Sequence, residues 1–179
     1  MLRGLQRSTK GKQGGNWVFD SEQLKAGKFK ADRIGSALRG ENPTMITQMR
    51  SGFVFLMDLQ FLPGGCVLTA YPQVKDLTTL PAEKRVEFLT DMHILGEAIE
   101  TITAPVRMNY SILGNTDQYL HAHVYPRYAW EAPERLRQPA WLDPQDEYWR
   151  NPKWALSEEQ VELANNIKQK LEALMQKYY

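Results

Sequence analysis

Apolar residues fall into two kinds of pattern along this chain. The runs FVFLMD (53–58) and CVLTAY (66–71) are rich in types that suit a pleated sheet, and Pro63-Gly64-Gly65 punctuates between them, so they read as two strands joined by a tight connection. VRMNYSIL (106–113) and YLHAHVYPRY (119–128), separated by the polar break Gly114-Asn115-Thr116-Asp117, also have strand character and are expected at the centre of the sheet. Between these pairs the period changes. Val86, Leu89, Met92, Leu95, Ile99 and Ile102 recur at three- and four-residue steps behind Pro81, which predicts an amphipathic helix over 81–103. Ser157 and Gln160 stand at capping-box spacing, and Val161, Ala164, Ile167, Leu171 and Leu174 form the stripe of a second helix over 157–176. This order predicts an α+β fold, an antiparallel sheet of about five strands with the 81–103 helix packed on one face.

The remaining segments are weakly patterned. Residues 1–16 hold few apolar side chains and are expected to form a flexible tail ahead of one folded unit over 17–179. Trp17 to Arg39 reads as an arm or short helices, stopped by a turn at Asn42-Pro43. The stretch 129–152, rich in Pro, Trp and charge, is expected to wrap over the folded unit in extended form, anchored by its tryptophans.

Composition narrows the function classes. A formal net charge of +1 disfavours general polynucleotide binding while leaving room for a local cationic pocket. The single cysteine, Cys66, excludes an internal disulfide framework and fits a buried, inert thiol in a reducing compartment. No run of about 18 apolar residues could span a bilayer, and the N-terminal stretch lacks the apolar centre of a secretory signal, so a cytoplasmic protein with no membrane partner is expected.

Chemistry concentrates in residues 121–127. Because side chains alternate across a strand, His121, His123, Tyr125 and Arg127 would project from one face and Ala122 and Val124 from the other. Neutral imidazole is a nucleophile, and guanidinium suits phosphate oxygens, so the group matches attack on an anionic phosphate. The same H-x-H spacing also serves metal ligation, a half-exposed sheet position, or no purpose at all. Pro126 is expected to end the strand near Tyr125. His93, inside the helical pattern, is read as a helix residue with no catalytic role.

The run NYSILGNTDQYLHAHVYPRY (109–128) resembles the signature end of the histidine triad superfamily, in its bacterial diadenosine-tetraphosphate-hydrolase-like branch. Residues 51–85, with strand, acidic residue, Pro-Gly turn, strand and an L-T-x-L entry to a helix, extend the likeness, which covers roughly residues 30 to 175. The resemblance implies that His123 is the nucleophile, that His121 orients and polarises the site, and that Asp58 holds the ribose hydroxyls. It also implies phosphate contacts from the loop, with Asn109 and Gln118 favoured and Asn115 the alternative, Asn115 having turn formation as its plainer explanation. Tyr125 stands where the third histidine is expected and is a weak acid, so Arg127 is the candidate to neutralise the leaving phosphate. The implied reaction is hydrolysis of a nucleotide or dinucleoside polyphosphate at the α-phosphate, through a nucleotidyl-histidine intermediate, in a homodimer and with no cofactor. Three rivals stay open: a nucleotidyltransferase, a catalytically silent nucleotide-binding module, and a metal-dependent protein using His121 and His123, which lacks an obvious further ligand.

Overall fold

The computed structural model describes residues 15–179, so the expected tail over 1–16 lies, but for Gly15 and Asn16, outside the described residues. The arm consists of α1 (Ser21–Ala26), a 3-10 turn (Lys28–Ala31) and α2 (Arg33–Leu38). Aspartates start both α-helices: the Asp20 carboxylate accepts from the Gln23 N–H and that of Asp32 from the Gly35 N–H, each at a helix start that has no backbone partner to offer.

Five strands follow, β1 (Met45–Gln48), β2 (Gly52–Leu56), β3 (Cys66–Ala70), β4 (Arg107–Ser111) and β5 (His121–Arg127), in one sheet of order β1-β2-β3-β5-β4. Every pairing is antiparallel. β1 was not singled out by pattern, being a short edge strand that carries Thr47 and Gln48. Nor is the β2–β3 connection tight: residues 57–65 form a loop tied by Gln60, whose Nε2 donates to the Met57 and Gly65 carbonyls while its Oε1 accepts from the Gly64 N–H. β5 does not stop at Tyr125. Its pairing with β3 ends at Val124, but its pairing with β4 runs on through Pro126 to Arg127, so the proline lies where one side of the strand is already free.

The sheet has two unlike faces. Val54, Leu56, Cys66, Leu68, Ala122 and Val124 point to one core with α3 (Ala82–Thr103) and α5 (Val161–Tyr178), which supply Phe88, Ile94, Leu95, Ala98, Ile99, Ala164, Ile167 and Leu171. Cys66 is fully buried there, and burial pushes its thiol pKa up. Gly96 lets α3 lie against the edge strand, since a Cβ there would clash with the ring of Tyr110 on β4.

The helical stripe holds from Met92 onward, where Met92, Leu95, Ile99 and Ile102 pack on the core, and departs from the spacing at its start. Val86 and Leu89 are 64% and 37% exposed, and Phe88 and Asp91 take the buried side there. A carboxylate inside that side hid it from an apolar count. Asp91 is buried because it is satisfied: it accepts from the Ser51 N–H at 2.7 Å, from the Ser51 hydroxyl at 2.6 Å and from the Tyr179 hydroxyl. The terminal helix follows expectation, with the Ser157/Gln160 capping box formed and Ala164, Ile167, Leu171 and Leu174 buried.

The opposite face is covered from two sides. α2 lays Ile34 and Ala37 over Phe53 and Phe55 at the β2 side. At the β5–β4 side lies a strap made of α4 (Pro133–Leu136) and short turns through Trp154, packed on Met57, Phe61, Leu62 and Tyr125. Trp141 and Trp149 stack at 4.4 Å, and Phe61 meets Trp149 edge-on at 4.7 Å. Trp130 is not an anchor; it is 60% exposed and stacks on Tyr128.

Candidate active site

Between the two coverings the sheet face stays open as a cavity of about 180 Å³. Its floor comes from strand alternation: Val67 and Thr69 on β3 stand opposite His123 and His121 on β5. Arg33 from the arm, Trp149 from the strap, and Asp58, Asp117 and Tyr119 from the loops complete the lining.

His121 and His123 are therefore brought together, with ring centroids 5.1 Å apart. Their two rings are held differently. Nδ1 of His121 lies 2.8 Å from the Tyr119 carbonyl oxygen, an acceptor only, so Nδ1 carries the proton of the neutral ring and Nε2 keeps the lone pair. Nδ1 of His123 is buried with no partner. A buried N–H without an acceptor is costly, so the proton of the neutral His123 ring belongs on Nε2, making that ring a donor. Burial, with smaller contributions from the nearby His121 and Arg33 charges, pushes the His123 pKa down to about 4. Trp141 packs edge-on against His123 at 4.7 Å and donates its Nε1–H to the Ser111 hydroxyl at 3.1 Å, which fixes the ring's far side.

Asp58 lines the cavity as expected, but not alone. Arg33 donates to both of its oxygens, at 3.1 and 2.7 Å, and Lys30 Nζ is 3.3 Å away. Burial alone would raise the Asp58 carboxyl, and the Arg33 guanidinium with Lys30 behind it holds it below the ordinary carboxylate range. Arg33 was missed by sequence reasoning, for a lone arginine in an irregular arm carries no local signal.

Five other expected residues lie elsewhere. Arg127 is 2% exposed and its donors are all engaged, by Glu131, the Gln138 and Arg135 carbonyls and Asn109, so none is left for a phosphate. Tyr125 is 1% exposed beneath Trp141 and does not line this cavity, and burial raises its hydroxyl pKa. Gln118 and Asn115 are exposed and outside the lining, although Asp117 and Tyr119 of the same loop reach it. Asn109 lies on β4 opposite Tyr125, bonded to Arg127, in a separate cavity. The alternating set that faces the floor is thus Tyr119, His121 and His123, one step toward the N-terminus of the set 121–123–125. Among the described residues no group of three or more His, Cys, Asp or Glu could hold a metal ion, and the two histidines are the only imidazoles in the cavity.

No protein-family model matches this chain, and no curated protein matches its sequence. Solved structures match its fold. A histidine triad protein from Sinorhizobium meliloti is 20% identical over 70% of this chain and 87% of its own, with a TM-score of 0.59. One from Bradyrhizobium japonicum is 18% identical over 89% and 98%, at 0.57. The diadenosine triphosphate hydrolase of Plasmodium falciparum is 16% identical over 74% and 78%, at 0.53. The chain has the histidine triad fold.

Proposed function

We propose that this chain binds a nucleotide in the cavity and cleaves it at the α-phosphate, with His121 rather than His123 as the nucleophile. One observation carries the assignment: the 2.8 Å contact from His121 Nδ1 to the Tyr119 carbonyl, which leaves Nε2 as a bare lone pair on a ring held in place. In the first step Nε2 bonds to the α-phosphorus while the phosphorus–oxygen bond to the leaving group breaks and its electron pair stays on the departing oxygen. Water then attacks the same phosphorus and gives up a proton to solvent, the nitrogen–phosphorus bond breaks with its electron pair returning to Nε2, and the imidazole is again neutral. His123 donates from Nε2 to a phosphate oxygen, and Arg33 turns part of its charge toward the same group. Tyr119 supplies the carbonyl that orients the nucleophile and takes the third place of the triad. Asp58 is the acceptor for the ribose hydroxyls, sharing its oxygens with Arg33.

The fold of a diadenosine triphosphate hydrolase supports a dinucleoside polyphosphate as substrate. A homodimer is part of this reading: β4 is one edge of the sheet, and Val106, Tyr110, Ile112 and Leu113 are exposed on and beside it. Sedimentation of the protein and of Leu113→Asp should show a dimer that the variant dissociates; a monomeric parent removes it.

The test of the chemistry is a single turnover with labelled dinucleoside polyphosphate, quenched in mild base. Label is expected on His121. Label on His123 reverses the two roles, turnover with no trapped label rejects the covalent route, and binding without turnover leaves a nucleotide-binding module. Adding inorganic phosphate or a sugar phosphate separates hydrolase from transferase by product.

A further inference from the structure

A second cavity, of about 350 Å³, opens on the same sheet face along β4. Arg107, Arg137, Asn109, Ser111, Tyr125 and Arg127 line it, and no carboxylate does. Arg127 is neutralised from behind by Glu131. Arg107 and Arg137 are exposed and, among the described residues, have no ion-pair partner. Two uncompensated guanidinium groups at the rim, over a polar floor, favour an anion with several oxygens.

Its position relates it to the first cavity. Ser111 stands opposite His123 in the β4–β5 ladder, and Trp141 touches His123 while donating to Ser111, so this tryptophan marks the boundary between the two spaces. From Ser111 to Arg107 the strand runs on for about 13 Å at the usual rise, a span suited to a phosphate chain more than to a single phosphate. The phosphates beyond the scissile bond carry the rest of the substrate's negative charge, and this side of His123 has the cations to hold them.

We propose that the second cavity is an anion subsite, built on Arg107 and Arg137, that binds the phosphorylated portion of the substrate beyond the scissile α-phosphate. The proposal rests on the nucleotide-cleaving reading above for its ligand, and its test does not require turnover. Inorganic tripolyphosphate is titrated calorimetrically into the whole protein, into Arg107→Ala/Arg137→Ala and into Arg107→Lys/Arg137→Lys, with a nucleoside 5′-monophosphate as the probe of the first cavity. The alanine pair should weaken tripolyphosphate binding about tenfold or more, the loss of two charge-assisted contacts, and the lysine pair should restore part of it. Monophosphate affinity should stay unchanged, which also shows that the fold is intact. In turnover, the alanine pair should raise KM for a dinucleoside polyphosphate and leave a nucleoside phosphoramidate, whose leaving group has no phosphate, unaffected. Equal tripolyphosphate affinity in parent and alanine pair, no binding to the parent, or an equal loss on both substrates would overturn the subsite. If no substrate is turned over, the proposed reaction fails while the titration still decides the subsite.

Discussion

Arg33, at the first turn of α2, holds both carboxylate oxygens of Asp58, just beyond β2, and so ties the arm to the rim of the cavity. The pair is about a quarter exposed on each side, with side chains 26% and 26% accessible, so its worth to folding is modest and its placement matters more. On the proposed reading a bound phosphate would compete with Asp58 for Arg33, and the guanidinium, on turning toward the phosphate, would free carboxylate lone pairs for a ribose. Arg33→Ala is therefore expected to raise KM about tenfold with a smaller effect on kcat, and Arg33→Lys to recover only part, since an ammonium cannot make the two-point contact. Steady-state kinetics on one dinucleoside polyphosphate decides it; an unchanged KM would remove Arg33 from the site.

The two histidines should separate kinetically. His121→Ala is expected to lower turnover by about a thousandfold or more, because nothing else in the cavity replaces the lone pair, whereas His123→Ala loses a donor and should cost about a hundredfold. Nucleotide affinity should survive both. The reverse order of damage would return the nucleophile to His123.

His123 also predicts an acid-sensitive stability. Its pKa is about 4 in the folded protein against an ordinary 6.5, so between those values the unfolded chain binds a proton that the folded chain refuses. Stability is then highest above 6.5 and falls as pH drops toward 4, by up to ~3 kcal/mol for a shift of this size. Asp58 acts lower. Its depressed carboxyl adds stability above the ordinary carboxylate value, and that part is lost only at more acid pH. Urea denaturation across this range should show a slope that His123→Gln flattens between pH 6.5 and 4 and leaves in place below; an unchanged slope would mean that the ring is not held neutral by burial.

Arg127 predicts a folding defect and no selective catalytic one. Glu131 is fully buried against it and also contacts Arg135, which in turn pairs with the buried Asp143. Removing Arg127 leaves the buried Glu131 carboxylate with Arg135 as its remaining ion-pair partner, at a cost of up to about 3–5 kcal/mol. Arg127→Met should therefore lower Tm sharply, and Arg127→Met/Glu131→Leu should recover most of the loss. Any activity change should track the folded fraction.

Much of the fold and half of the site are legible in the sequence. Alternation in β5 put His121 and His123 on one face because Ala122 and Val124 suit a helix-packed core, and the Ser157 cap with its stripe announced α5. The errors share a cause. Strand alternation says which side a residue faces, not whether the strap will cover it, so Tyr125 and Arg127 face the same way as the histidines and yet lie buried under Trp141 and the Glu131 network. Nor could spacing decide between the two histidines, since that rests on one backbone carbonyl and one nitrogen without a partner. Arg33 joins Asp58 only through the path of the arm, a relation between segments 25 residues apart.

The cavity's floor and its walls come from different kinds of chain. The floor is written into a hydrogen-bonded ladder in which shifting one strand by one residue would send the histidines into the core. The walls are an arm and a strap outside that ladder, joined to the floor where Trp141 packs on His123. Away from that contact the walls can change length and side chains, and with them the shape of the opening, while the imidazole pair below keeps its place.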